Sequence, residues 1–282
     1  MKKTLNDIIL VPTDFSEVCD NALEHAIVLA KNMKYRVFLL HVINRDTQKY
    51  LEEEKLTRDT IVDKMEKTVS KYSKEHDLQV EYLIKSGNFL KKVEKVAEKL
   101  SVKLIILGTH GKVGFQKITG SFALKVITAT SVPTIVVQKR IFSGGYKNII
   151  FPITAYTQDR QKVVWAVNIA KTFGSIVHLF PKFESESYYK GKIMSITKQI
   201  KTLFDKYGVE YVDKVSSPTA GNFAKQVIDY AVENESELIM TLIDQDKMLP
   251  IFSSIDEQII FNSSQIPVIC INPINTKKTS WH

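Results

Sequence analysis

Only two cysteines, Cys19 and Cys270, occur in the 282 residues, and they lie in opposite halves with no CxxC pair. That spacing offers neither a disulfide framework nor a zinc site, so two isolated, buried thiols are the expectation. No apolar run approaches the roughly 18–20 residues that span a bilayer. The apolar stretch Ile8 to Pro12 is too short for the core of a secretory leader, so a cytoplasmic protein with no membrane partner is expected. A Walker lysine pattern is missing. Lys+Arg number 39 against 31 Asp+Glu, a net charge of +8. The lysines alternate with glutamates, as in Lys91-Lys92-Val93-Glu94-Lys95-Val96-Ala97-Glu98-Lys99, which reads as a solvated helix face. No aromatic–basic stripe accompanies the charge, so no nucleic-acid partner is expected.

What is present is an ordinary globular composition, 44% hydrophobic and 25% charged, in a chain long enough for one large domain or two of moderate size. An internal repeat favours two. Asp7-Ile8-Ile9-Leu10-Val11-Pro12-Thr13 resembles Asn148-Ile149-Ile150-Phe151-Pro152-Ile153-Thr154, which aligns Asp14 with Ala155. Ala30-Lys31 matches Ala170-Lys171, and Val37-Phe38-Leu39-Leu40 matches Val177-His178-Leu179-Phe180, both at an offset of 140. Later, Gly87-Asn88-Phe89 recurs as Gly221-Asn222-Phe223, Leu104-Ile105-Ile106 as Leu238-Ile239-Met240, and Val132-Pro133 as Ile266-Pro267, all at 134. The offset falls because the middle of the second unit is shorter. A polar, glycine-bearing stretch from Gln138 to Gly145 supplies the linker, giving domains 1–140 and 146–276.

Within the first unit, strands and helices alternate. Strands are expected at Ile8 to Val11, Arg36 to Ile43, Val80 to Lys85, Leu104 to Leu107 and Thr134 to Val137. Helices are expected at Cys19 to Asn32 with Ser16 as N-cap, at Lys55 to His76 as one long charged element, at Asn88 to Leu100, and at Ser121 to Thr130. Such alternation produces βαβ crossovers and a parallel sheet covered on both faces. The fold class is therefore α/β, two tandem doubly wound parallel-sheet domains of Rossmann-like type.

Ligands of such sheets bind beyond the carboxyl ends of the strands, where the strand order reverses. Pro12-Thr13-Asp14, His41-Val42-Ile43 and Gly108-Thr109-His110-Gly111 all lie at such ends. In the third, four apolar residues run into a glycine turn, and Gly120-Ser121 opens a helix. Glycines let backbone approach a ligand closely, and N–H groups in such a turn, backed by a helix N-terminus, form an anion-binding concavity. Ser121 can donate to a phosphate or serve as helix N-cap, so spacing alone leaves ligand and purely structural readings open.

Gly108-x-x-Gly111 followed by Gly120-Ser121 resembles the ATP-binding signature of the universal stress protein family. The Pro12-Thr13-Asp14-Phe15-Ser16 start, Leu40-His41-Val42 and Ser131-Val132-Pro133 are similar to that family too. The resemblance covers the whole first unit and, more faintly, the second. It implies domains of the adenine-nucleotide alpha hydrolase-like type, and a site for ATP, with or without Mg²⁺, made by Pro12, Thr13, Asp14, Val42, Gly108, His110, Gly111, Gly120, Ser121 and Phe122. Asp14 and Val42 would hold the adenosine end, and the glycine segments with His110 and Ser121 the phosphates. One departure is visible: only eight residues, Lys112 to Thr119, separate Gly111 from Gly120, one fewer than in the family's usual signature.

The second unit departs further. Val42 aligns with Lys182, Gly108 with Leu242, Gly111 with Gln245, Gly120 with Ser254 and Ser121 with Ile255. Asp244 and Asp246 place carboxylates where phosphates would sit, and one such pair lacks the ligands of a hard-cation site. No ATP site of the first kind, no metal site and no catalytic residue are assigned. The resemblance implies a nucleotide-binding stress-response regulator. A ligand-free scaffold and a weak ATPase are the alternatives, although the Ser-Gly-Gly-x-Asp-Ser loop of related pyrophosphatase-type folds is missing. In family members the last strand pairs across dimers, so Thr134 to Val137 and Val268 to Ile271 could make the tandem an intramolecular pseudo-dimer. Whether a surface for a further homodimer is left stays open. His25 and His76 are expected on helix surfaces, His178 and His282 show no partner pattern, and Tyr188-Tyr189 reads as a cap or packing site.

Overall fold

The strand segments Ile8 to Val11, Leu104 to Leu107 and Val268 to Ile271 are apolar throughout rather than alternating, the pattern of strands buried on both faces by helices. The computed structural model describes residues 7–109, 120–243 and 254–273. The chain divides into two compact units, Met1–Gly145 with Gln265–Pro267, and Tyr146–Ser264 with Val268–His282.

The first unit runs β1 (Ile8–Pro12), α1 (Glu17–Met33), β2 (Arg36–Ile43), α2 (Arg45–Glu53), α3 (Arg58–His76), β3 (Val80–Ser86), α4 (Phe89–Lys99), β4 (Leu104–Gly108), α5 (Gly120–Ala129) and β5 (Thr134–Val137). Its strand order is β3-β2-β1-β4-β5, all parallel, with the order reversing between β1 and β4. Every residue of β1, β4 and β5 is buried, whereas β3, at the edge, is buried only at Val80. α1 packs Ala22, Ala26, Leu29 and Ala30 into the sheet, and its small residues let helix and strands approach closely. It ends at Lys34 in a left-handed conformation, φ 61°.

The long charged helix expected from Lys55 to His76 is two helices. Asn44 caps α2, its Oδ1 accepting from Thr47 N at 2.9 Å, and the chain turns at Lys55 with φ 52° before Thr57 opens α3. None of the residues of α2 is buried, so no apolar period announced it. His25 is also corrected: it lies in α1, but buried, with its ring stacked 3.8 Å from that of Phe142.

The second unit runs β6 (Asn148–Ile153), a 3-10 turn (Thr157–Lys162), α6 (Val163–Phe173), β7 (Ile176–Pro181), α7 (Ser187–Tyr207), β8 (Tyr211–Asp213), α8 (Phe223–Glu233), β9 (Leu238–Leu242), α9 (Ser254–Ile260) and β10 (Val268–Ile271). The order β8-β7-β6-β9-β10 repeats that of the first unit, again all parallel. Both units are thus doubly wound, Rossmann-like α/β folds.

The ladders also correct the repeat alignment. Ile9 pairs with Val37 and Leu104, as Ile149 pairs with Val177 and Leu238. The offset is therefore 140 already in the first strand, and Asp14 corresponds to Thr154, not Ala155. Matching terminal threonines misled the alignment by one residue; hydrogen-bond register decides it. His178 has partners as well: its Nε2 lies 3.1 Å from Asn148 Oδ1 and its Nδ1 3.3 Å from Tyr230 Oη. Tyr188 and Tyr189 lie in the first turn of α7 and meet edge to face.

Candidate functional site

At the carboxyl end of β1 the chain is held tightly before α1 begins. Thr13 N donates to Leu40 O of β2 at 2.8 Å, and Thr13 Oγ1 accepts from Phe15 N at 3.0 Å. Asp14 Oδ1 accepts from Ser16 N at 3.0 Å and from Cys19 Sγ at 3.2 Å. Ser16 occupies the N-cap position of α1 but makes no side-chain cap bond. Asp14 thus does the turn's capping with one oxygen. Its other oxygen, Oδ2, is buried and has no partner among the described residues.

Phe15 adopts φ 66°, uncommon for a bulky residue, and this turn lays its ring on His41, centroids 4.7 Å apart. His41, on β2, lies 2.9 Å through Nδ1 from Thr13 O. A carbonyl only accepts, so Nδ1 carries the proton and Nε2 presents a lone pair. Burial lowers the pKa of His41, which keeps the ring neutral. Nε2 is buried and unpartnered among the described residues, as is Ser16 Oγ. Burial, reinforced by the charge of Asp14, pushes the Cys19 thiol up to about 12, so it is no nucleophile.

These groups line a cavity of about 240 Å³ at the strand ends. Thr13, Asp14, Phe15, His41 and Val42 form its floor, while Asn44, Asp46, Thr47 and Tyr50 of the α2 segment, Ile61 and Lys64 of α3, Phe89 of α4 and Phe122 of α5 form its walls. Lys64 Nζ lies 5.6 Å from the Phe15 ring centroid and 5.4 Å from that of Tyr50, a cation held between two aromatic faces. Phe89 and Phe122 meet edge to face at 6.2 Å. The cavity therefore combines flat apolar walls with Asp14, Asp46, the neutral imidazole of His41 and the ammonium group of Lys64, a lining suited to a heteroaromatic ligand with hydroxyl or amine donors.

Of the ten residues predicted for this site, Thr13, Asp14, Val42 and Phe122 are brought together at the cavity. Pro12 is the last residue of β1, paired with Leu40 in the ladder. Gly120 opens α5, with Ser121 in its first turn. His110, Gly111 and the shortened loop 112–119 lie outside the described residues. Gly108 ends β4, and its lack of a side chain has a structural cause: a Cβ there would sit 2.3 Å from Val18 O, in the first turn of α1. Sequence reasoning missed Tyr50, Lys64 and Phe89, because they reach the cavity from crossover helices whose docking no local pattern records.

The second unit carries Leu242 where the first has Gly108, each the last residue of its strand and paired with Ile271 and Val137 respectively. A helix start like that of α1 cannot sit against this side chain, and the corresponding segment forms the 3-10 turn instead. That turn delivers Asp159 and Lys162, both buried, in an ion pair at 2.9 Å. Lys162 Nζ also donates to Pro152 O at 2.5 Å and lies 4.6 Å from the Phe151 ring centroid. Asp159 Oδ2 accepts from Thr154 N and Oγ1 at 2.7 and 2.9 Å. The carboxylate has moved from the loop, at the Asp14 position, to the helix entry, at the Cys19 position, and a lysine neutralises it. The two cysteines are free and buried. Asp244, Gln245, Asp246 and His282 lie outside the described residues, as do the side chains of Ser254 and Ile255. Among the described residues no cluster of three or more His, Cys, Asp or Glu is placed to hold a metal, and no helix is long and apolar enough to cross a membrane.

A parallel sheet with its crevice at the point of strand reversal defines a Rossmann-like, doubly wound α/β protein. Comparison with known proteins narrows this. The model of the universal stress protein family matches residues 6–138. Universal stress protein MJ0531 of Methanocaldococcus jannaschii is 30% identical over 138 residues, 46% of this chain and 81% of the relative. Universal stress protein MJ0577 of the same organism is 30% identical over 155 residues, 47% of this chain and 94% of the relative. The chain belongs to the universal stress protein family. Among solved structures, a universal stress protein from Archaeoglobus fulgidus shares the fold with a TM-score of 0.76 at 19% identity, covering 95% of this chain and 98% of its own. A putative universal stress protein from Pseudomonas aeruginosa does so with a TM-score of 0.66 at 11% identity, covering 96% of this chain and 94% of its own.

Proposed function

We propose that this protein binds ATP or a related adenine nucleotide in its first domain, residues 1–140, and acts as a cytoplasmic stress-response regulator through binding rather than turnover. The second domain, 146–276, is then a degenerate copy. The observation that carries the reading is one cavity at the strand ends lined by Asp14 and His41, whose Oδ2 and Nε2 are buried and unpartnered among the described residues. An unsatisfied buried acceptor costs about 1–3 kcal/mol, and a ligand donor relieves that cost. Ribose hydroxyls and the adenine amine are donors of the right kind, and Phe15, Tyr50, Phe89 and Phe122 provide surface for the ring. The family's glycine signature is the ground for extending the ligand to its phosphates, with Mg²⁺ accompanying them.

Calorimetric titration of the full chain with ATP, AMP and cyclic AMP tests this. One site per chain is expected, weakened roughly tenfold to a hundredfold in Asp14→Asn. That variant keeps an Oδ1 acceptor for Ser16 N while replacing the free acceptor by a donor. Gly111→Val is expected to lower affinity for ATP more than for AMP. Absence of binding below millimolar nucleotide would sink the reading in favour of a ligand-free scaffold. Steady ATP turnover lost in His110→Ala would instead make the protein a slow ATPase. Partner contacts belong to the same proposal: a single-chain mass by light scattering fits a tandem serving as its own pseudo-dimer, and a doubled mass fits a homodimer.

A further inference from the structure

The repeat provides an internal control for the outer flank of the second unit. Val37 pairs with Val80 as Val177 pairs with Tyr211, so β3 and β8 are equivalent strands. α3 and α7 both end at a left-handed residue, Asp77 and Gly208, at the same distance before those strands. In this register Tyr82 corresponds to Asp213, Glu66 to Thr197 and Asp63 to Met194. In the first unit the Tyr82 hydroxyl donates to Glu66 Oε1 at 3.1 Å, tying helix to edge strand across the gap. Asp213 and Thr197 are too short to make that tie, and Asp213 pairs instead with Lys201, one turn further along α7. The gap between α7 and β8 is left as a groove of about 460 Å³.

Its walls are mostly carbon. Phe183, Met194 and Val215 line it while remaining 39%, 63% and 54% exposed, and Ile193 forms part of its base. Leaving such side chains in contact with water forgoes the stabilisation that burial would bring. The floor is pinned: Ser216 Oγ accepts from Phe183 N at 2.7 Å, and Ser216 N donates to Pro181 O at 2.9 Å. Charge on the rim has one sign left over. Lys201 pairs with Asp213 and Lys182 with Glu184, whereas Lys190 and Lys198 form no ion pair among the described residues. Lys190, Met194 and Lys198 recur at intervals of four along α7, so an unpaired ammonium flanks the apolar strip on either side.

We propose that this groove is a second ligand site, for an amphipathic carboxylate: a free fatty acid whose chain, of roughly ten carbons, lies along Phe183, Met194 and Val215 while its head pairs with Lys190 or Lys198. The site is separate from the nucleotide cavity and does not depend on that reading. An anionic head answers the unpaired lysines, and few polar atoms in the walls are there to answer a nucleobase.

Calorimetric titration of the full chain with decanoate, decanol and decyltrimethylammonium, each below its micellar concentration, tests the assignment. One decanoate per chain is expected, with decanol roughly tenfold weaker and the cation not binding. Lys190→Gln with Lys198→Gln should reduce decanoate affinity to that of decanol. Met194→Glu, at an exposed position, should weaken it more than roughly tenfold with the thermal midpoint unchanged. Equal affinity for all three amphiphiles, or binding indifferent to Met194→Glu, overturns the proposal. Self-association lost in Met194→Glu without any decanoate binding assigns the face to a second copy and overturns it as well.

Discussion

Replacing Gly108 with alanine tests the idea that this glycine is kept for packing and not only for a ligand. An added Cβ would lie 2.3 Å from Val18 O, 2.6 Å from Val18 C and 2.9 Å from Cys19 N. All three are backbone atoms in the first turn of α1, so no rotamer change can make room. Restoring ordinary contact requires the helix start to move by about 1 Å. Overpacking of a dense core costs about 1–3 kcal/mol, and the upper end applies because the obstacle is backbone. At a urea dependence of roughly 2 kcal/mol per M, that is a midpoint shift of about 1.5 M. Unfolding by urea followed by circular dichroism measures it, with the transition of the second unit as an internal reference if the two units melt separately. Gly191→Ala, at an exposed helical position where a Cβ meets nothing within 4 Å, is the control and should stabilise by about 1 kcal/mol. A shift for Gly108→Ala below about 0.5 kcal/mol, the scale of a neutral surface change, would refute the reasoning. Because α1 begins beside Asp14, nucleotide affinity should fall together with stability.

Two further outcomes follow from buried charge. Burial lowers His25 from 6.5 to about 3, so the folded protein holds it neutral. Its folded value lies below its unfolded value, so the associated stability is complete above pH 6.5 and is lost progressively as pH falls toward 3. At pH 5 the loss is about 2 kcal/mol, and His25→Phe, which can keep the stack on Phe142, should flatten that part of the acid profile in denaturant titrations. An unchanged slope would contradict the assignment. In the second unit, Lys162→Met leaves the buried Asp159 carboxylate without its cation and should destabilise by about 3 kcal/mol. A double-mutant cycle with Asp159→Leu should yield a coupling of roughly 2 kcal/mol, and additivity within about 0.5 kcal/mol would show that the pair does not act as a unit.

Much of the architecture is readable in residue order. The all-apolar runs Ile8 to Val11 and Leu104 to Leu107 read as central parallel strands, and β2 and β5 begin and end at the residues that their apolar periods indicate. The repeat is readable too, since Gly87-Asn88-Phe89 and Gly221-Asn222-Phe223 carry the same structural part: Asn88 and Asn222 each cap a helix, accepting from Lys91 N and Lys225 N. Charged α2, with no buried face, was not readable, and neither was the burial of His25, which depends on Phe142 far along the chain.

By itself, then, the order of residues determined two parallel α/β units, where their strands lie, and that the second has lost the glycines of the first. Those properties rest on local burial patterns and on comparison of one half with the other. The tertiary structure decided the one-residue register that makes Thr154 the equivalent of Asp14, the aromatic walls around Lys64, and the reason for Gly108. It also decided what replaces that glycine, a 3-10 turn with the Asp159–Lys162 pair, and the groove left where Asp213 stands in place of Tyr82. Each of these depends on which atoms from distant segments meet within a few ångströms, and close packing settles that only when the whole core is assembled.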